Sequence, residues 1–226
     1  SKIVLKTPIR INGDSSVGVE LAQVMDDGYD TSANPLYVPN DYDAQPAEIR
    51  VTIGDEANQY AGNISGTNPS TSLPYDSNFV EGAVGLYVNH ASLDYRLKEY
   101  ELKFGDYAKN SVLILNDGSE NSYNYSAGTL TTSQVVTLDN SNVSSIDVEN
   151  GQNNMVIYNS GRIGNTSFAY VPVLNIKPDI NIGNSSKMIN NTIGLYNSGG
   201  RAHLTGNINT YGDNSHAIYN NGLSYT

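Results

Sequence analysis

Apolar and polar positions along this chain fall into a recurring unit of four residues. It appears as Val17-Gly18-Val19-Glu20, Val84-Gly85-Leu86-Tyr87, Met155-Val156-Ile157-Tyr158, Ile193-Gly194-Leu195-Tyr196 and His216-Ala217-Ile218-Tyr219. The third position is always aliphatic, the second is Gly, Ala or Val, and the fourth is Tyr in four of the five copies. Three copies run on into a polar turn, Asn159-Ser160-Gly161, Asn197-Ser198-Gly199 and Asn220-Asn221-Gly222. Two are approached in the same way, through Gly13-Asp14-Ser15-Ser16 and Gly212-Asp213-Asn214-Ser215. Self-similarity of this kind marks a stacked-repeat architecture.

Each tetrad predicts a strand. Apolar residues at positions one and three share one face of a period-two ribbon, which places position four on the opposite, outer face. β-branched and aromatic residues fill these runs, and Gly, Asn, Asp and Ser bound them. Tyr196 and Tyr219 stand about 23 residues apart, and Tyr158 and Tyr196 about twice 19. Val112-Leu113-Ile114-Leu115-Asn116-Asp117 is echoed by Val135-Val136-Thr137-Leu138-Asp139-Asn140 after another 23 or so, and Val173-Leu174-Asn175-Ile176 fills the doubled step. A coil of roughly 18–23 residues holds two or three strands and their turns, which is one turn of a parallel β-helix. The expected fold class is therefore all-β, a parallel β-helix (solenoid) with loop or hairpin insertions. Leucine-rich repeats require an L-x-x-L-x-L frame that is missing, and helical repeats require a 3.6 period that is not found. An antiparallel sandwich also has short, evenly spaced strands, but gives no reason for one tetrad to recur.

The pattern divides the chain into four parts. Residues 1–24 read as one coil. Residues 25–80 read as an insertion or set of long loops, with Pro35, Pro39, Pro46, Pro69 and Pro74 against long ladders; only Glu48-Ile49-Arg50-Val51-Thr52-Ile53 has a strand pattern. Residues 81–111 read as a coil with a charged excursion or hairpin at Asp94 to Phe104. Residues 112–226 are the regular coils. The chain opens inside a strand-like run, Lys2-Ile3-Val4-Leu5, and stops just after a repeat turn, as a piece of a longer repeat protein would.

Composition adds that polarity here is mostly uncharged: hydrophobic residues make up 38% and charged ones only 15%. Asn, Ser, Thr and Gly suit stacked turns, where a side chain meets its own copy and like charges would repel. A net charge of −11 argues against nucleic acid and anionic membrane surfaces. The absence of Cys removes disulfides, zinc–thiolate sites and cysteine catalysis within this chain. No transmembrane run, signal peptide or lipidation motif is visible.

The combination of Gly13 to Val19, Ile193 to Gly200 and Gly212 to Gly222 resembles the passenger repeats of bacterial autotransporters (type V secretion), most of all the very large fusobacterial autotransporter adhesins. The resemblance rests on a small part of the chain. It implies a right-handed β-helix at the bacterial cell surface, anchored through the outer membrane by a C-terminal β-barrel of the same polypeptide that is not in this sequence. It also implies attachment to other bacteria or host cells through a glycan or protein receptor. Residues 25–80 and 88–111 depart from the simple repeat.

Chemistry-bearing residues are sparse. Gly13-Asp14-Ser15 resembles the nucleophile motif of chymotrypsin-like proteases, but Ser16 stands where Gly is needed, and His90, His203 and His216 all follow it. Its echo near residue 213 makes it a repeat turn. Acidic groups at Asp26, Asp27, Asp30 and at Asp41, Asp43 follow no calcium-loop frame, so no metal and no cofactor is expected. A polysaccharide lyase or glycosidase would need paired carboxylates, for which Asp139, Asp147 and Glu149, with Arg162, are the candidates. The seventeen tyrosines, with no tryptophan, are the strongest bias. Stacked Tyr87, Tyr158, Tyr196 and Tyr219 would form an outer aromatic strip. Ligand candidates in loops are Tyr29, Asp30, Tyr37, Tyr42, Asp43, Tyr95, Tyr100, Tyr107, Tyr123 and Tyr125, since Tyr offers rigid amphipathic contact area at low entropic cost. His216 falls at an inward tetrad position. The sequence thus reads as a non-enzymatic adhesive segment; the alternatives are a polysaccharide-acting enzyme and a purely structural stalk.

Overall fold

The computed structural model describes residues 7–22, 47–58, 78–89, 94–117, 135–160, 173–198 and 201–221. Among them the secondary structure is entirely β. In chain order the strands are β1 (Ile9–Ile11), β2 (Val17–Ala22), β3 (Ala47–Ile53), β4 (Val80–Glu81), β5 (Val84–Asn89), β6 (Asp94–Phe104), β7 (Ala108–Lys109), β8 (Val112–Asp117) and β9 (Val135–Leu138). They continue as β10 (Ser145–Val148), β11 (Met155–Ser160), β12 (Val173–Ile176), β13 (Asp179–Ile182), β14 (Ile193–Ser198), β15 (Arg201–Leu204), β16 (Ile208–Thr210) and β17 (His216–Asn220). Two six-stranded sheets run β1-β3-β6-β9-β12-β15 and β2-β5-β8-β11-β14-β17, beside a three-stranded β10-β13-β16 and a two-stranded β4-β7. Every pairing between named strands is parallel. The described residues thus form six tiers, each giving one strand to the first sheet and one to the second.

All five tetrads lie in the second sheet, in register. Val17 faces Val84, Met155 faces Ile193 and Ile193 faces His216. Val112-Leu113-Ile114-Leu115 fills the sixth place, between the second and third copies. Its sequence echo at Val135 to Leu138 lies instead in the first sheet, directly over Val173 to Ile176. The expected coil length is corrected as well. Tyr158 and Tyr196 are immediate register partners, so the 38-residue step between their strands is one tier and not two. Tier length varies because insertions sit between strands, and lengthening a loop adds little closure entropy.

The expected orientation of position one is overturned. Val17 is 46% exposed, Val84, Val112, Met155 and Ile193 are half-buried, and His216 is exposed rather than inward. Position two is buried at Gly85, Leu113, Val156 and Gly194, alongside position three at Leu86, Ile114, Ile157 and Leu195. A regular ribbon cannot turn two successive side chains to one side. The ladder passes over position two in every tier, pairing Val84 with Val112 and then Leu86 with Ile114. A local kink there sends both residues into the core, where Leu113 and Val156 fill space that Gly85 and Gly194 leave to their neighbours. A Cβ on Gly194 would stand 2.7 Å from the Ala217 carbonyl oxygen and 2.8 Å from Ile208 Cγ2.

The turn before each tetrad is equally regular. Ser15, Gly82, Asn110, Asn153, Asn191 and Asn214, each two residues ahead of position one, all have positive φ between 50 and 69°. Left-handed backbone strongly favours Gly and then Asn, which explains their recurrence at this place. The next residue ties tiers together: Ser111 Oγ accepts from Ala83 N–H (3.1 Å), Asn154 Oδ1 from Ser111 N–H (2.9 Å) and Ser215 Oγ from Thr192 N–H (3.1 Å). Asp14, in the protease-like run, accepts from Glu81 N–H at 2.8 Å and Asn58 Nδ2 at 3.0 Å, which makes it a turn brace.

The charged run expected to leave the stack is strand β6, paired with β3 and β9. Tyr100, Leu102 and Phe104 alternate inward, while Glu101 and Lys103 form an ion pair on the outer face. Three inward apolar groups, each stabilising by about 1.5–3 kcal/mol on burial, outweigh exposed charges that lose nothing by staying in water. Within 25–80, the expected strand at Glu48 to Ile53 is present as β3, and Ile49, Val51 and Ile53 are core residues.

Candidate functional site

Of the predicted ligand residues, Tyr29, Asp30, Tyr37, Tyr42, Asp43, Tyr123 and Tyr125 lie outside the described residues. Tyr95 lies in β6, where only the backbone is described. Tyr107 is half-buried in the turn between β6 and β7, its N–H donating to Gly54 O and its carbonyl accepting from Val80 N–H. Tyr100 is not a loop residue: it is an inward position of β6 and only 5% exposed.

Two surface features remain. The first is the column at tetrad position four. Tyr158 and Tyr196 meet edge to face at 5.0 Å between centroids, and Tyr196 stacks on Tyr219 at 5.1 Å. Leu115 interrupts the expected strip, separating Tyr87, whose hydroxyl donates to Asp117 Oδ2 at 3.3 Å, from Tyr158. Burial and the neighbouring Asp117 carboxylate push the Tyr87 phenol up. One position further on runs a chain of amides: Asn116 donates to Asn159 (2.8 Å), Asn159 to Asn197 (2.7 Å) and Asn197 to Asn220 (2.9 Å). This column fixes register from within, because a one-residue slip would strand buried amides.

The second feature is a cleft where the first sheet divides. Strand β6 pairs with β9 only as far as Leu97↔Leu138, then continues to Phe104 against β3. In the next tier the chain turns aside after Leu138 and resumes at Ser145 as β10, which pairs with β13 alone. Between β6 and β10 opens a space of about 410 Å3 lined by Arg50, Tyr100 and Glu101 on one side, and by residues 142–145 and Asp147 on the other. Arg50 and Glu101 are register partners on neighbouring strands. A hydrogen bond from Lys103 holds the Glu101 carboxyl below its usual range against the opposing effect of desolvation, and the Lys103 and Arg50 charges add to it. Burial pushes the Tyr100 phenol well up, with the Asp139 carboxylate adding to it, and its hydroxyl has no hydrogen-bond partner.

Of the carboxylates considered for polysaccharide chemistry, Asp139 is ion-paired with Lys177 (3.8 Å) and Asp147 accepts from Ser145 Oγ (3.1 Å) and Asn181 Nδ2 (2.7 Å). Glu149 is exposed, and Arg162 lies outside the described residues. Among the described residues, no group of three His, Cys, Asp or Glu side chains is placed to hold a metal. Sequence reasoning missed Arg50 and Glu101. They lie on strands of different tiers, and only their register brings them together. Neither a family model, nor a curated protein, nor a solved structure matches this chain.

Proposed function

We propose that the chain is a right-handed parallel β-helix serving as an adhesive passenger segment of an autotransporter-type surface protein, without enzymatic activity of its own. The observation that carries this reading is the register of the tetrads: six parallel tiers with Tyr on Tyr and Asn on Asn along one axis. Such a stack is a rigid rod, built from turns and ladders that need neither disulfide nor metal, and it suits display away from a cell surface. Its partners on this reading are a glycan or protein receptor on host or bacterial cells, and a C-terminal outer-membrane barrel elsewhere in the same polypeptide.

Beads coated with the purified segment test the reading against host and bacterial cells. Deletion must spare β3 and β4, so the variants remove residues 25–45 or 60–76 and not the whole of 25–80. Attachment that is lost in either deletion while the β circular dichroism persists supports an adhesive role for those segments. A coated bead that attaches to no cell type reduces the chain to a stalk.

A further inference from the structure

The cleft between β6 and β10 brings together charged and hydroxyl groups from three strands, with Glu101 ion-paired to Lys103 and Asp147 hydrogen-bonded by Ser145 and Asn181. On one wall stand the guanidinium of Arg50 and the carboxylate of Glu101, and on the other the carboxylate of Asp147. Tyr100 lines the space, and its hydroxyl is buried with no hydrogen-bond partner. From Asp147 a column of amides runs along the stack, Asn181 donating to Asp147 at 2.7 Å and Asn209 to Asn181 at 2.8 Å. The volume of about 410 Å3 lies within the range of small-molecule sites.

The chemistry selects among ligand classes. Carboxylates only accept hydrogen bonds and a guanidinium only donates them, so the cleft offers both roles a short distance apart. Neighbouring hydroxyls on a sugar ring match that requirement, each donating to one group and accepting from another. Tyr100 and Val143 provide limited apolar surface for the carbon face of such a ring. At the cleft Lys103 pairs with Glu101, so the preference against an anion rests on the net charge of −11 carried by the whole chain.

We propose that this cleft binds one neutral saccharide unit, with Arg50, Glu101 and Asp147 as partners of its hydroxyls and the Asn181–Asn209 column as a track for adjoining units. A turn of the Tyr100 ring toward the bound sugar gives its hydroxyl the partner it lacks. The inference rests on the adhesive reading above, to which it adds a ligand class and a place.

The purified chain, labelled with nitrogen-15, is titrated with free neutral hexoses, N-acetylhexosamines and uronic acids. The expected result is saturable amide shifts at residues 50, 101 and 142–147 with neutral or N-acetylated sugars, and weaker shifts with uronic acids. Tyr100→Phe and Asp147→Asn keep the fold and each raise Kd about tenfold, the worth of one or two hydrogen bonds. If Tyr100 serves only the core, Tyr100→Phe leaves Kd unchanged, and the site is overturned when Asp147→Asn is also silent. The site is equally overturned if no sugar moves these amides. Bead attachment with a silent cleft removes the site and keeps the adhesive reading; sugar binding without attachment does the reverse.

Discussion

Replacing Asn159 with alanine tests whether the amide column holds the tiers together. Asn159 has no exposed surface; it accepts from Asn116 at 2.8 Å and donates to Asn197 at 2.7 Å. Asn159→Ala removes both bonds, about 1 kcal/mol each, and takes an acceptor from the fully buried Asn116 amide at about 1–3 kcal/mol more. The vacated volume adds about 1 kcal/mol. The total, about 4–6 kcal/mol, lowers Tm by roughly 10–20 °C for a chain of this length. Asn220→Ala at the exposed end loses one bond and costs under about 1 kcal/mol. Asn159→Asp adds a sign: burial raises the folded pKa of the new carboxyl above its unfolded value near 4. Its penalty therefore grows as pH rises through that value and shrinks toward acid. Urea and thermal unfolding followed by far-ultraviolet circular dichroism measure all three, and the chain's lack of tryptophan leaves tyrosine fluorescence as the second probe. Equal losses for Asn159→Ala and Asn220→Ala would refute the argument, since burial and a second column bond separate them.

Other consequences follow from the same geometry. Gly194→Val drives a side chain against the Ala217 carbonyl and Ile208, so it loses about 1–3 kcal/mol in urea titration, whereas Gly13→Ala, with only Ser16 Oγ near at 3.6 Å, stays within about 0.5 kcal/mol. At Asn153, whose φ is 54°, a glycine is tolerated within a few tenths of a kcal/mol, and a valine costs about 1–2 kcal/mol by thermal melt. The raised Tyr100 pKa keeps the folded phenol protonated when the unfolded one ionises near pH 10. Stability is thus fully present below pH 10 and falls as pH rises further. Tyr100→Phe removes this contribution, and circular dichroism between pH 8 and 12 should show alkaline unfolding shifted upward; an unchanged midpoint would show that Tyr100 is not its source.

Much of the fold is legible in the sequence because it is written locally. A tetrad bounded by Asn and Gly specifies a strand and its turn, and repetition of the tetrad specifies which strands lie over one another. The left-handed turn is likewise readable, since an Asn or Gly recurring two residues before position one matches the residues that such a backbone tolerates best. Two features escape local reading. A strict period of two puts position two outside, and the kink that turns both Val156 and Ile157 inward has no local signature, since Gly, Ala, Val and Leu all occupy that place. In β6, Arg96, Lys98, Glu99, Glu101 and Lys103 mask the alternation of Tyr100, Leu102 and Phe104, so a core strand reads as a charged excursion.

By itself the sequence determined that this is a β protein of stacked, near-identical strands, with Tyr outside and aliphatic residues within at the third position. Only the tertiary structure decided that Val112 to Leu115 takes a place in the tetrad ladder, that Leu115 breaks the tyrosine column, and that Arg50, Tyr100, Glu101 and Asp147 share one cleft. The reason is physical. Register within a tier is set by adjacent side chains, but tiers are joined by loops whose closure entropy rises only with the logarithm of their length. Distance along the chain therefore says little about how many tiers separate two copies, and a site assembled between tiers leaves no trace in spacing.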